Sequence, residues 1–99
     1  MKEIDISDIN KEFTNKIRLG IMSALMVNKW LSFNDLKQML EVTDGNLNSH
    51  TSVLENNKYI LIKKAFVGKK PETSYKMTNL GRMEFEKHIE ALNSLINKK

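Results

Sequence analysis

Two short β-strand patterns, separated by a turn, stand between helical segments of this 99-residue chain. The first, YILIKKAFV, is rich in β-branched and aromatic residues, and the second, TSYKM, alternates between two faces. The intervening GKKPE has the composition of a turn, so the two patterns predict a β-hairpin. The predicted tip of the hairpin comprises Gly68, Lys69, Lys70 and Pro71. Any fold of this chain therefore has to place one hairpin among helices that precede and follow it.

The first two predicted helices form part of the core. Apolar residues recur at helical spacing in residues 14–27, where Gly20 suggests that another backbone segment passes closely, and Gly81 in the last helix suggests the same. The KWL segment that follows the first helix can pair as an edge strand. Ser32 and Asp35 have the spacing of a capping box at the start of the second helix. The residues that this short helix is predicted to bury are Phe33, Leu36, Met39 and Leu40.

The third predicted helix has a polar face with almost no charge. Thr43 or Asp44 can cap it, and the side that holds Leu47 is taken as the inward side because Leu47 is apolar. A rotation of about 100° per residue then places short polar residues and a glycine on the outward side and its flanks. These residues are Gly45, Asn46, Asn48, Ser49 and Ser52. Such residues are poor helix formers, so the face is not explained by helix stability.

Positive charge is concentrated in the hairpin. Between Lys58 and Lys76 there are six lysines and a single acidic residue, Glu72, whereas the whole chain carries a net charge of only +4. A basic patch on a nearly neutral body is typical of a protein that binds a polyanion, and the alternative is a patch that serves only solubility.

Composition and motifs disfavour several other classes of protein. The chain has no Cys, which excludes a disulfide, a thiolate nucleophile and a Cys-ligated metal. The acidic N-terminus lacks the apolar core of a signal sequence, and no apolar run could cross a membrane, so we expect a cytoplasmic location without a membrane partner. The GKKPE turn lacks the spacing of a P-loop, and neither a nucleophile elbow nor a converging pair of carboxylates occurs. We therefore expect neither catalysis nor a cofactor.

The isolated His and Trp residues are interpreted as structural. His50 on the inward side of the third helix and His88 in the last helix are too few to close a zinc site, so no metal is expected. Trp30 is interpreted as a lid on the core beside the first strand, and stacking on a nucleic-acid base is the alternative.

The last predicted helix begins after Thr78 and is longer than a core of this size can cover. Its apolar stripe from Phe85 onward is predicted to pack on a second copy of the chain, with help from the N-terminal segment; the alternative is that it folds back on its own domain. The chain is predicted to be one domain, residues 1–99, with a core at 14–77 and a dimerisation helix at 78–97. The predicted interface residues are Ile4, Ile6, Ile9, Phe13, Phe85, Ile89, Leu92, Leu95 and Ile96.

The predicted order of elements is helix, strand, helix, helix, strand, strand, helix, which is the order of a winged helix-turn-helix, a mainly α fold with a small β-hairpin wing. In that fold the third helix enters the major groove of DNA, and the wing lies along the backbone or in the minor groove. Asn can pair bidentately with adenine, Ser can contact several base edges, and Gly45 lets the start of the helix approach closely. The lysines expected to neutralise phosphates are Lys63, Lys64, Lys69 and Lys70.

Several segments together resemble one known family, namely IRLGIMSAL, FNDLKQML, TDGNLNSHTSVLE, GKKPET and the T-x-x-G-R at Thr78. This combination, which spans residues 15–92, is similar to the compact winged-helix transcriptional regulators related to the MarR and ArsR groups. The resemblance implies a dimeric DNA-binding regulator, more often a repressor, whose operator has two related half-sites. It places Asn46, Asn48, Ser49 and Ser52 on the recognition helix and residues 69–71 on the wing.

The chain departs from this family in ways that bear on sensing. It is shorter than the larger MarR-like proteins, with less helix for a ligand cleft, and it lacks the Cys and clustered His of metal-sensing ArsR-like proteins. No small-molecule effector is therefore assigned. The alternative function is a winged helix that binds other proteins and not DNA. Such a module should display an apolar anchor or an aromatic residue on the outward face of the third helix or on the wing, whereas this chain is expected to display Asn, Ser and Lys there.

Overall fold

The computed structural model describes residues 3–97, which form four α-helices, one short 3-10 helix and three strands. The 3-10 turn Lys11–Phe13 is followed by α1 (Lys16–Val27), β1 (Leu31–Ser32), α2 (Phe33–Leu40), α3 (Asp44–Asn56), β2 (Ile60–Val67), β3 (Lys70–Met77) and α4 (Asn79–Ile96). This is the mainly α architecture with a hairpin wing that the sequence predicts.

A polar side chain caps the start of each α-helix. The Asn15 side chain accepts hydrogen bonds at the start of α1, and Ser32 and Asp35 form the predicted capping box of α2. Thr43, and not Asp44, is the N-cap of α3, where it accepts from the amide of Asn46. Each such cap contributes about 1 kcal/mol, and together they fix where the helices begin.

The three strands form one antiparallel sheet with the order β1-β3-β2. The short β1 pairs Leu31 with Tyr75, which confirms the edge strand expected from KWL. In the hairpin, Ile62 lies opposite the same Tyr75, and Ile60 lies opposite Met77. Because side chains alternate along a strand, these pairs face the helices and close the core from one side.

The core lies between α1, α2, α3 and the inner face of the sheet. Its buried apolar residues are Phe13, Ile21, Met22, Ala24, Leu25, Leu31, Leu36, Leu47, Leu54, Ile60, Tyr75, Met77 and Phe85. The prediction that α2 buries Met39 is wrong, since this side chain is 53% exposed. Met39 lies about 60° around the helix from Leu36, which puts it at the margin of the buried stripe.

Gly20 and Gly81 both lie close to neighbouring residues, as expected, but the neighbour is a side chain at Gly20 and backbone at Gly81. A Cβ on Gly81 would overlap the backbone carbonyl of Tyr59, so the start of α4 crosses the chain just before β2 without room for a side chain. At Gly20, in contrast, a Cβ would lie 2.7 Å from a side-chain carbon of Leu40. The expectation that a backbone segment passes Gly20 is therefore wrong, because the space is filled by the α2 side chain.

Candidate nucleic-acid interface

The outward face of α3 is the surface that the helical rotation predicts. Leu47, Thr51 and Leu54 are buried against the core. The exposed residues are Gly45, Asn46, Asn48, Ser49 and Ser52. Nothing lies within 4 Å of the position that a Cβ on Gly45 would occupy, so the first turn of α3 is open to an incoming partner.

The acidic residue at the start of α3 is paired. Asp44 lies 2.7 Å from the ammonium group of Lys37 in α2, and both side chains are largely exposed. An exposed pair of this kind adds little stability, but it offsets the charge that would otherwise repel a phosphate from the helix N-terminus.

His50 connects α3 to α1 through a hydrogen bond, which agrees with its interpretation as a structural residue. The Arg18 guanidinium donates a hydrogen bond to His50 Nδ1 at 2.9 Å, and its Nε donates to the carbonyl of Glu12 at 2.6 Å. Burial, and after it the positive charge of Arg18, lowers the pKa of His50, so the imidazole stays neutral and can accept. Within residues 3–97 no cluster of three His, Cys, Asp or Glu side chains could hold a metal ion.

Thr51 of α3 and Tyr75 of β3 are neighbours in the core beside the wing. Both residues are buried, and the Thr51 hydroxyl donates to the backbone carbonyl of Asn48 at 3.2 Å. Burial raises the pKa of Tyr75, and the neighbouring Thr51 side chain opposes that rise. The phenol therefore stays protonated at neutral pH, and the two buried side chains belong to the packing between α3 and the sheet from which the wing extends.

The hairpin wing differs in detail from the predicted tip. Only Gly68 and Lys69 form the turn, and Gly68 has a φ of +66°, which favours glycine. Lys70 and Pro71 belong to β3, where they lie opposite Val67 and Phe66. The longer tip was predicted because every residue of GKKPE is typical of a turn. Pro71 can nevertheless belong to β3, since β1 no longer flanks β3 at this position and the missing N–H of proline removes no hydrogen bond between strands.

All four wing lysines, namely Lys63, Lys64, Lys69 and Lys70, are exposed. The Lys63 ammonium lies 4.5 Å from the centroid of the Trp30 ring, and that of Lys76 lies 5.8 Å from it. Trp30 is therefore a half-buried platform for cations on the outer face of the sheet, and its interpretation as a core lid is wrong. Sequence reasoning missed this contact because Trp30 and Lys63 come together only when β1 and β2 flank β3.

Sequence reasoning also missed the apolar end of the wing. Phe66 is 76% exposed, and Val67 beside it is exposed as well. Phe66 has the strand alternation of the core residues Ile60 and Ile62, but the hairpin carries it past the core. The two strands are long compared with the size of the core, and this difference could have indicated that the end of the wing is exposed.

Two residues of the predicted dimer interface lie inside the domain itself. Phe13 and Phe85 are 1% and 3% exposed, and their rings meet edge to face with centroids 5.2 Å apart. Assigning them to an interface was wrong, because the 3-10 turn folds onto the first half of α4 and shares its apolar surface. The backbone amide of Asn10 reinforces this contact by donating to Nδ1 of the buried His88 at 3.0 Å.

The other predicted interface residues keep exposed or half-buried side chains. Ile9 and Leu92 are half-buried. The exposed residues are Ile4, Ile6, Ile89, Leu95 and Ile96. They lie on the N-terminal segment and the second half of α4. None of the helices described in residues 3–97 is long and apolar enough to traverse a bilayer.

Several known proteins are similar to this chain in sequence or in fold. Uncharacterized protein MJ0432 of Methanocaldococcus jannaschii is 35% identical over 79 residues, which cover 80% of this chain and 86% of that protein. The structure of a transcriptional regulator homologue from Pyrococcus horikoshii superimposes with a TM-score of 0.81 at 31% identity, covering 87% of this chain and 85% of the other. Transcriptional regulator Tm0710 of Thermotoga maritima, at 18% identity, shares the fold with a TM-score of 0.69 over 85% of this chain and 58% of its own.

The family match extends over most of the described chain. Residues 17–96 match the family described as winged helix DNA-binding domain, from α1 to the last residue of α4. This is a family of DNA-binding domains and not of enzymes, and the resemblance to winged-helix transcriptional regulators seen in the sequence motifs is confirmed. The chain belongs to the winged helix DNA-binding domain family.

Proposed function

We propose that this protein is a sequence-specific regulator of transcription that binds duplex DNA as a homodimer and acts as a repressor. The observation that carries the proposal is the pairing of two surfaces on one domain. One is the exposed, uncharged face of α3, and the other is the lysine-rich wing. Both surfaces belong to elements packed on one core, in which Thr51 of α3 and Tyr75 of β3 are buried, and simultaneous contact with a groove and a backbone requires such a shared support.

The proposed role of α3 is to read bases in the major groove. Asn46 and Asn48 carry amides that can pair bidentately with adenine, and Ser49 and Ser52 can donate to or accept from base edges. Gly45 lets the start of the helix approach the floor of the groove, since no neighbouring atom occupies the space around it.

The proposed role of the wing is to contact the DNA backbone and minor groove. Lys63 and Lys64 lie along β2, Lys69 lies in the turn, and Lys70 and Pro71 begin β3, so positive charge follows the length of the hairpin. Each phosphate that a lysine neutralises releases counterions, which gives affinity for any duplex sequence.

The proposed dimer uses the second half of α4 and the N-terminal segment, with residues 14–77 as the DNA-binding core and 78–97 as the dimerisation helix. The apolar residues proposed to meet the second copy are Ile4, Ile6, Ile9, Ile89, Leu92, Leu95 and Ile96. Their support is the exposure of Ile89, Leu95 and Ile96 on α4 and of Ile4 and Ile6 on the N-terminal segment, beside the half-buried Ile9 and Leu92. In such a dimer the two α3 helices would lie about 34 Å apart and read successive major grooves. A regulator of this kind would work in the cytoplasm, beside the chromosome.

Fluorescence anisotropy of a labelled mixed-sequence duplex, titrated with protein across a range of salt concentrations, tests the proposal. We expect binding whose affinity falls steeply as salt rises, followed by selection of a preferred operator from a random library. Absence of binding even at low salt would overturn the proposal. It would favour the protein-interaction alternative, for which exposed Phe66 on the wing would be the apolar anchor.

A further inference from the structure

A phenylalanine and a proline are cross-strand partners near the end of the wing. Phe66 in β2 is directly opposite Pro71 in β3. The turn of Gly68 and Lys69 is flanked by the Val67–Lys70 pair. Since hydrogen-bonded and non-hydrogen-bonded pairs alternate, the Phe66–Pro71 pair is the closely spaced, non-hydrogen-bonded kind. Pro71 is the single proline of the chain, so its ring gives Phe66 a rigid support.

This pair lies beyond the part of the hairpin that the core covers. The nearest core-facing pair is Ile62–Tyr75, four residues back along each strand, or about 13 Å at the usual rise of a strand. Phe33 at the start of α2 and Pro71 both line a shallow cleft at the side of the wing. Phe66 does not line that cleft and stays 76% exposed, so no other part of the described chain covers it.

Three lysines and one acidic residue, the exposed Glu72 that follows Pro71, lie near this apolar pair, so the surrounding charge is positive. Lys64 is on the same face of β2 as Phe66, Lys69 is in the turn, and Lys70 is next to Pro71. A purely apolar partner would leave these ammonium groups to be desolvated without compensation. The partner that fits both features presents anionic groups on its outside and flat apolar rings within reach, and duplex DNA has phosphates around stacked bases.

We infer that the Phe66 ring, supported by Pro71, inserts between two base pairs from the minor groove and kinks the DNA under the wing, while the neighbouring lysines hold the phosphates. The inference rests on the proposed DNA-binding function and adds deformation of the duplex to it. Because pyrimidine–purine steps unstack most easily, the wing then favours TpA or CpA steps at the position that it contacts. This gives sequence preference at a position where no hydrogen bond to a base is needed.

The test measures bending and binding on the same sample. A duplex of about 30 bp with TpA steps carries a donor and an acceptor dye at its ends, and energy transfer is recorded at saturating protein, as judged by anisotropy. The variant is Phe66→Ala. The matched control is Leu61→Ala, another exposed apolar residue of β2, which lies on the opposite face near the base of the wing. Because both side chains are exposed, both variants should fold as the wild type does, and circular dichroism checks this.

We expect the wild type and Leu61→Ala to shorten the distance between the dyes. We expect Phe66→Ala to bind within about threefold of the wild type, because the lysines remain, but to leave the duplex straight and to lose the preference for TpA steps over a stiff A-tract. Binding of the wild type without bending, or equal bending by Phe66→Ala, would overturn the insertion while leaving the proposed function intact. Absence of binding by the wild type at low salt would overturn both.

Discussion

The ammonium group of Lys63 in β2 lies 4.5 Å from the centre of the ring of Trp30, the residue that precedes β1. Trp30 is the only tryptophan of the chain, so its fluorescence reports on the cations beside its ring, which are Lys63 and, farther away at 5.8 Å, Lys76. If phosphate attracts Lys63 away from the ring, titration with duplex DNA should change the emission of Trp30, and added salt should reverse the change. Lys63→Met should remove most of the response. An unchanged spectrum under conditions where anisotropy shows binding would mean that Lys63 stays on the ring.

The lysines at the wing tip should act on affinity and not on sequence choice. Replacing Lys69 and Lys70 together by Ala should weaken binding to all duplexes alike. Since each phosphate contact contributes about 0.9, the slope of log affinity against log salt should fall by about 1.8 for each wing, or about 3.6 for the proposed dimer. Anisotropy titrations at several salt concentrations measure this slope. A change in the preferred sequence at constant slope would contradict the placement of these lysines on the backbone.

Asn48, one of the exposed asparagines of α3, should behave in the opposite way. Asn48→Ala should relax the preference for one base pair by about 1–3 kcal/mol and leave the salt slope unchanged. Competition between duplexes that differ at one position, drawn from the selected operator, measures the effect. An equal loss on every sequence would instead show that Asn48 contacts the backbone.

Two glycines that the structure places in opposite surroundings give a matched pair of variants. Gly81→Ala should destabilise the fold by about 3 kcal/mol, because the new methyl group overlaps the Tyr59 carbonyl. Gly45→Ala meets only open space and should raise the free energy of unfolding by up to about 1 kcal/mol, yet weaken DNA binding by holding α3 away from the groove. Urea denaturation and anisotropy separate the two effects. Undiminished DNA binding by Gly45→Ala would contradict a close approach at this residue.

The second half of α4 should control the oligomeric state. Leu92→Glu places a charge within the apolar stripe and should give monomers by light scattering, whereas Ser94→Glu places the same charge on an exposed part of the same helix turn and should leave dimers. An unchanged mass for Leu92→Glu would remove α4 from the proposed interface.

Acid should destabilise the fold through His88. Burial lowers the pKa of His88 below its ordinary value of 6.5, and its Nδ1 accepts from the Asn10 amide, so the folded chain holds this ring neutral. As the pH falls through about 6.5, the unfolded chain takes up the proton before the folded chain does. The contribution of neutral His88 to the free energy of unfolding is therefore complete above that pH. It is lost progressively as the pH falls to the lowered pKa of the folded state.

Thermal unfolding at about pH 7.5 and about pH 5.5 tests this expectation. His88→Gln should be less stable than the wild type at the higher pH but should lose less on acidification. His50 also has a lowered pKa, so its protonation should account for the pH dependence of stability that remains in His88→Gln. The stability of the double variant, His50→Gln with His88→Gln, should therefore change little between these two pH values. A double variant as sensitive to acid as the wild type would assign the effect to other groups.

Features of the fold that depend on neighbouring residues in the sequence could be predicted. The capping box of Ser32 and Asp35, the choice of Thr43 or Asp44 as the cap of α3, and the outward face of α3 are set by residues within one or two helical turns. The hairpin was found for the same reason, since strand composition and turn residues are adjacent in the chain.

Features that depend on distant residues could not be predicted. Phe13 and Phe85 are 72 positions apart, and no local pattern indicates that one ring will cover the other and withdraw both from the surface. The Trp30–Lys63 contact depends in the same way on the strand order, and the exposure of Phe66 depends on how far the core reaches beneath the hairpin.

The strand order β1-β3-β2 leaves the outer side of β2 without a neighbouring strand among the described residues. Such an edge can pair with the same edge of another molecule and start aggregation, and charged residues on the strand oppose this. Lys63 and Lys64 are in the middle of β2, so the charges proposed to hold DNA also keep two wings apart in its absence. Removing those charges would thus lower colloidal stability as well as affinity.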